Sequence, residues 1–234
     1  MTHLYLIRHG DYINVENGKL VDRGLSPLGL RQAERLRDRL MTTSEIKMDV
    51  LISSTMLRAR QTAAIIAPAL GMPIMFDEEV EEWRNQDGTI SPEEFNERFK
   101  AIPWEQRPFF RWAAGYENLM EFSLRIRTAL HRIIHEHEGK TIVIVCHNGI
   151  VEVSFVFFFG LSVEQLRQAK VNVDHTAITH WYKTTPEGFP VWVLECYNDK
   201  HHLHESLTSS NLHVPFQTLL PLESTDHANI QVER

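Results

Sequence analysis

Apolar positions along the chain follow two different periods. The runs His3-Leu4-Tyr5-Leu6-Ile7, Asp49-Val50-Leu51-Ile52-Ser53, Pro73-Ile74-Met75-Phe76 and Thr141-Ile142-Val143-Ile144-Val145-Cys146 are short and almost continuous. Such runs predict strands, and the last has the pattern of a strand buried on both faces of a parallel sheet. Between them the period lengthens. Leu28, Ala33, Leu36 and Leu40 share one helical face, as do Ala63, Ile66, Ala67 and Leu70. Leu119, Phe122, Ile126, Leu130, Ile133 and Ile134 form a third such set. These spacings predict helices from Pro27 to about Met41, from Met56 to Leu70, and from Leu119 towards Gly139. Ser26-Pro27 provides an N-cap with proline in the first turn, and Gly71 and Gly139 provide stops. The phenylalanine-rich run from Val153 to Phe159 predicts a buried helix ending at Gly160. Two β-rich runs, 176–184 and 190–197, flank Pro186-Glu187-Gly188 and predict a hairpin or edge pair.

The order strand, helix, strand, helix, strand, then helix, strand, helix implies an α/β fold. Its mostly parallel sheet is expected to carry helices on both faces. The pattern breaks between Asp77 and about Gly115, where aromatic residues, Glu and Pro accumulate around one short predicted helix, Pro92 to Phe99. We read residues 77–116 as an insertion capping the carboxyl edge of the sheet, with its aromatic residues forming a small core. One domain then spans residues 1–205. Residues 206–234 are polar and aperiodic, a tail or packing arm.

Composition narrows the function classes. The chain of 234 residues is 43% hydrophobic and 24% charged, a soluble globular profile. Its net charge of -7, with no long Lys/Arg cluster, argues against a nucleic-acid grip. The two cysteines, Cys146 and Cys196, have no metal-type spacing, which predicts no disulfide framework and a reducing, cytoplasmic compartment. The phenylalanine-rich run is far shorter than the ~20 residues that span a bilayer, so no membrane partner is expected. His201, His202 and His204 lack companion ligands, and neither metal nor other cofactor is expected. Apolar residues around an edge strand at Val191–Val193 suggest a homodimer.

Two predicted strands end in histidine, at Ile7-Arg8-His9-Gly10 and at Val145-Cys146-His147-Asn148-Gly149. In a parallel sheet both ends lie on one edge, where open α/β sheets bind ligands. Arginine offers a planar donor fork suited to phosphate, and histidine a nucleophile or proton carrier. Within Ser53 to Ala63, Arg58 falls in the first turn of the next helix, at the same edge, where a helix N-terminus favours an anion. Two arginines, two histidines and a helix end make a site for a dianionic phosphoryl group. Cys146 ends a buried strand and reads as core.

With Leu25-Ser26-Pro27-Leu28-Gly29-Leu30-Arg31-Gln32-Ala33, Val80-Glu81-Glu82, Asn198-Asp199 and His202-Leu203 added, the ordered set resembles the histidine phosphatase superfamily, with its phosphoglycerate-mutase-like fold. The resemblance covers most of residues 3–203. It implies that His9 attacks phosphorus to form a phosphohistidine, while Arg8, Arg58 and His147 hold the phosphoryl oxygens. It implies that Glu82 is the acid that protonates the leaving oxygen. Asn148 and Asn14 are expected to add phosphate contacts, and Trp83, beside Glu82, to line the pocket. The implied activity is a metal-independent phosphomonoester hydrolase acting on a small-molecule phosphate ester or a phosphoprotein. A phosphoglycerate mutase would use the same site, and a catalytically weak scaffold of the same fold is a third reading. The intact Arg8, His9, Arg58, Glu82 and His147 argue against the scaffold. The chain departs from the common family pattern after Gly10. Asp11-Tyr12 replaces Glu-Thr or Glu-Ser, and Val15 stands at the usual Asn position, with Asn14 one place early. That loop and the insertion differ from the mutase pattern.

Overall fold

A computed structural model describes residues 1–84, 91–112, 115–162 and 170–203; the expected tail lies outside them. Strand β1 (Thr2–Arg8) is followed by a small hairpin, β2 (Val15–Glu16) and β3 (Lys19–Leu20). Then come α1 (Pro27–Thr43), β4 (Val50–Ser54), α2 (Leu57–Leu70) and β5 (Ile74–Asp77). The segment corresponding to the expected insertion carries α3 (Pro92–Ala101) and a 3-10 turn, Trp104–Phe109. Regular alternation resumes with α4 (Leu119–Glu136), β6 (Thr141–Cys146), α5 (Asn148–Phe159), β7 (Ile178–Thr184) and β8 (Val191–Asp199).

Six strands form one sheet in the order β5-β4-β6-β1-β7-β8. The first four in that order run parallel; β7 and β8 add an antiparallel edge. Side-chain alternation sorts the buried residues into two layers. Leu4, Leu6, Ile52, Ile142 and Ile144 face Ile126, Leu130 and Ile133 of α4 and Val153 of α5. Ile7, Leu51, Val143 and Val145 face Leu36 and Leu40 of α1 and Ala63 and Ile66 of α2. Burying each such side chain contributes about 1.5–3 kcal/mol, so the two layers hold the strand ends firmly in place. No helix among the described residues is long and apolar enough to cross a membrane.

Helix starts follow local chemistry. Ser26 Oγ accepts Gly29 N–H at 3.1 Å ahead of Pro27. Asn118 and Glu121 form a reciprocal capping box on α4. One element differs from expectation. The loop after Gly10 contains a hairpin, whose turn residues Asn17 and Gly18 have φ of 53° and 74°. Asn-Gly between strand-like flanks is a recognised signal for such a turn, but here the flanks are too short to show alternation. In the insertion the aromatic residues do cluster: Trp112 lies 4.2 Å from Phe95, 6.0 Å from Phe99 and 5.1 Å from Phe110 between ring centroids.

Candidate active site

The register of β1 and β6 builds the centre of the site. Arg8 pairs with Cys146, and His9 N–H donates to Cys146 O at 2.9 Å. His9 and His147 therefore leave adjacent strands level with one another, their ring centroids 5.0 Å apart. Glycines at positions 10 and 29 let the start of α1 approach this turn closely. A Cβ on Gly10 would lie 2.7 Å from Gly29 O, and one on Gly29 would lie 1.9 Å from Asp11 O.

His9 is 3% exposed. Its Nδ1 lies 2.7 Å from Gly10 O. A carbonyl only accepts, so Nδ1 carries the hydrogen and Nε2 keeps its lone pair. Arg58 Nε donates to that Nε2 at 3.1 Å, which agrees with the same tautomer. Burial, with the charges of Arg58, His147 and Arg8 adding to it, lowers the His9 pKa well below its ordinary value. The imidazole is therefore neutral at pH 7 and nucleophilic at Nε2. Burial and the same arginines also hold His147 neutral. His147 Nε2 lies 2.8 Å from Ser54 Oγ, which itself accepts Met56 N–H at 3.3 Å. With the Ser54 hydrogen on Nε2, His147 Nδ1–H is a donor.

The two guanidiniums are buried beside the imidazoles. Arg8 donates to Val173 O, while its buried Nε has no hydrogen-bond partner among the described residues. Arg58 is oriented from three sides. Its Nη1 donates to Asp22 at 2.9 Å, its Nε to His9, and its guanidinium lies 4.5 Å from the Tyr12 ring centroid. Thr62 Oγ1 donates to Arg58 O at 2.8 Å and accepts Gly10 N–H at 3.0 Å, joining α2 to the end of β1.

Glu82 approaches from the segment after β5. One oxygen accepts Gly149 N–H at 3.2 Å, in the first turn of α5, and the other accepts Trp83 N–H at 3.1 Å. Gly149 permits this approach, since a Cβ there would meet Glu82 Oε1 at 2.3 Å. Arg125 secures the segment by donating to the carbonyls of Glu79 (2.7 Å), Glu81 (3.1 Å) and Glu82 (3.3 Å). It also pairs with the Glu117 carboxylate. The result is a buried cationic cluster in which the His9 Nε2 lone pair lies beside the arginines, with the Glu82 carboxyl group near Arg8. Among the described residues, no group of three or more His, Cys, Asp or Glu is placed to hold a metal ion.

The family model of the histidine phosphatase superfamily, branch 1, matches residues 4–200. The chain belongs to that superfamily. Among its relatives is the 5''-phosphoribostamycin phosphatase of Niallia circulans, 31% identical over 86% of this chain and 97% of that one. The putative phosphoserine phosphatase 2 of Hydrogenobacter thermophilus is 28% identical over 76% of this chain and 88% of that one. The fold is shared with a mutant phosphoserine phosphatase of Entamoeba histolytica in complex with phosphoserine (TM-score 0.66, 23% identity, 87% of this chain and 100% of that one).

Within this histidine phosphatase, Arg8, His9, Arg58 and His147 converge as expected, with Glu82 adjoining them. Two further expectations, for Trp83 and Asn148, meet a different geometry. Trp83 is in the core with Val80, Phe122 and Ile126, and its indole N–H donates to Glu117 O at 3.0 Å. Its ring is therefore packing rather than pocket wall. The side chain of Asn148 is committed to the neighbouring segment, its Oδ1 accepting Val173 N–H at 2.9 Å. Asn14 closes the base of the hairpin, its carbonyl accepting Val21 N–H at 2.9 Å. Sequence reasoning missed Asp22, Tyr12, Ser54 and His175, whose ring lies 5.5 Å from that of His9. It also missed Glu152, one turn along α5, whose carboxyl burial and the Glu82 charge push up to about 7. Each comes from a loop, a strand end or a helix face whose aim depends on tertiary packing. Cys146 and Cys196 are free, and burial raises the Cys146 thiol far above the usual range.

Proposed function

We propose that the chain is a phosphomonoesterase working through a phosphohistidine on His9, without a metal ion. The observation that carries this reading is the His9 tautomer: a neutral imidazole with its Nε2 lone pair held among two buried guanidiniums. A phosphoryl dianion takes over the Arg58 Nε donor, freeing the lone pair to attack phosphorus. Arg8, Arg58 and His147 Nδ1–H stabilise the equatorial oxygens. The bond to the ester oxygen breaks as that oxygen takes a proton from Glu82. Water then attacks the phosphohistidine, Glu82 accepts its proton, and inorganic phosphate and neutral His9 are regenerated. The arginines provide the charge that a metal provides in other phosphatases.

The names of the relatives support phosphatase chemistry on small phosphate esters, with phosphoproteins as a wider class. A mutase would use the same pocket, and the Arabidopsis thaliana relative named phosphoglycerate mutase-like protein 4, 28% identical over 88% of each chain, keeps that reading in the test. The acidic balance of the chain supports the absence of a nucleic-acid partner, and the free Cys146 and Cys196 support a reducing, cytoplasmic compartment. Phe189 and Val191, 73% and 41% exposed at the β8 edge, support a homodimer, measurable by light scattering.

The deciding experiment is a panel of aryl phosphate, sugar phosphates, nucleotides, phosphoamino acids, phosphoproteins and 3-phosphoglycerate, assayed in EDTA. Wild type should turn over at least one ester, and His9→Ala none. Absence of EDTA-resistant turnover would overturn the reading. Efficient isomerisation of 3-phosphoglycerate with 2,3-bisphosphoglycerate present would replace it with the mutase.

A further inference from the structure

His175 is buried on the flank of His9, in the turn that precedes β7. The turn is stapled to the end of β1: Thr176 N–H donates to Arg8 O at 3.0 Å and His9 O at 3.3 Å, and Arg8 N–H donates to Ala177 O at 3.2 Å. Thr176 adopts φ 59°, a left-handed conformation unfavourable for a β-branched residue. That strained turn fixes the His175 ring 5.5 Å from His9 and its Nδ1 3.7 Å from Asp11 Oδ1, within ion-pair range. Asp11 is itself held in place. Its other oxygen accepts Ser26 Oγ–H at 2.5 Å, and its N–H donates to Gln32 at 2.8 Å.

Three imidazoles thus surround the pocket, and their company differs. His9 and His147 face arginines, and burial with those charges holds both neutral. His175 faces a carboxylate. We propose that His175, paired with Asp11, is a positioning and charge-supplying residue whose protonated form adds a third cation to the phosphoryl pocket. Its proton makes oxyanion affinity depend on pH. The proposal rests on the phosphoryl-site reading above.

Several elements bring charged and titratable groups near His175. Strand β1 and the loop after it supply Arg8, His9, Asp11 and Tyr12. Helix α2 and the end of β6 supply Arg58 and His147, both beside His9. Its own turn supplies Asp174, which is tied to Lys200 at 2.5 Å and to Asn198 at 3.0 Å. The segment after β8 supplies His202, hydrogen-bonded to Thr176 Oγ1 at 2.9 Å and lowered by burial to about 4. The arginines keep their charge throughout, and the lowered imidazoles stay neutral above pH 6.5. Glu152 in α5, whose carboxyl burial and the Glu82 charge push up to about 7, is a second group that gains a proton in this range, and the His175→Gln arm below separates the two.

Sulfate is a suitable probe because it remains a dianion across this range. Its Kd for the full chain is measured by calorimetry from pH 5.5 to 8.5 on wild type, His175→Gln and Asp11→Asn, with melting curves recorded for each. Wild type should bind sulfate about tenfold more weakly at the alkaline end, the effect of losing one partly screened charge. His175→Gln should bind weakly and without that pH step. Asp11→Asn keeps the imidazole and should move the step to lower pH, because the carboxylate no longer favours the cation. A purely structural role would weaken binding equally at every pH. If His175→Gln retains the wild-type pH step, or if Asp11→Asn leaves its position unchanged, the proposal is wrong. If wild type binds no sulfate at any pH, the phosphoryl-site reading fails as well.

Discussion

Gly149→Ala adds one methyl group where Glu82 meets α5. Its Cβ would stand 2.3 Å from Glu82 Oε1 and 2.8 and 3.0 Å from two atoms of the Phe122 ring. Relaxed heavy-atom contacts lie near 3.5–4.0 Å, so roughly 1 Å of movement is needed. Phe122, on α4, is buried in the core and yields little, whereas the carboxylate is the far end of a flexible side chain. Glu82 therefore moves, losing its 3.2 Å bond to the residue 149 N–H. Overpacking costs about 1–3 kcal/mol. Alanine in place of glycine in a helix returns about 0.5–1 kcal/mol. The melting temperature should consequently fall only slightly, while the acid is displaced. A positioned general acid contributes about a hundredfold to ten-thousandfold, mostly for poor leaving groups. Alkyl phosphates should thus lose at least about tenfold more in kcat/KM than aryl phosphates. The assay compares a series of esters graded by leaving-group pKa. Equal losses across that series, or full activity in a folded variant, would refute Glu82 as the proton donor.

Other perturbations follow from the same contacts. Asp22→Asn removes the carboxylate that orients Arg58, and a misplaced guanidinium should lower kcat by up to about a hundredfold while the fold survives; unchanged kcat would show that Tyr12 and His9 suffice. Arg125→Met strands the half-buried Glu117 carboxylate, which Arg125 holds low against the opposing effect of burial, and three backbone carbonyls. Urea unfolding should register a loss of about 2–3 kcal/mol, below the value for a fully buried pair, and a loss below about 1 kcal/mol would contradict the role assigned to Arg125. Burial, with Arg39 adding to it, lowers His202 from 6.5 to about 4 in the folded chain. The unfolded chain then binds the extra proton between those values, so stability present above pH 6.5 drains away as pH falls towards 4, by up to about 3 kcal/mol. His202→Gln should flatten that part of the pH–stability curve, and an unchanged slope would exclude His202 as its source.

Much of this could be read from the chain because the responsible interactions are local. The apolar run Thr141–Cys146 reads as a central strand since both its faces are buried, and Ser26-Pro27 announces α1 through its own cap. Arg8, His9, Arg58 and His147 sit at strand ends or in a first turn, where topology alone brings them to one edge. What escaped depends on contacts between segments distant in sequence. Asp22 reaches Arg58 across 36 positions, and Arg8 meets Val173 across 165. Trp83 looked like a pocket residue by its adjacency to Glu82, yet neighbours in an extended segment point opposite ways, and its indole turns into the core. Asn148 follows His147 directly, but the helix that begins there directs its amide at residue 173.

The pairing of β1 with β6 also governs how this enzyme can change over evolutionary time. Everything proposed to touch phosphorus is carried by strand ends and first turns that the sheet holds in register. The β2–β3 hairpin and the segment between β5 and α4 lie outside that register. Those connections can lengthen, shorten or exchange residues while the two histidines stay level. Selection or laboratory evolution for a new ester should therefore accumulate changes in the connections first, leaving bond-breaking chemistry intact. A shift of one residue between β1 and β6 would do the reverse, parting the histidines and ending catalysis on every substrate at once.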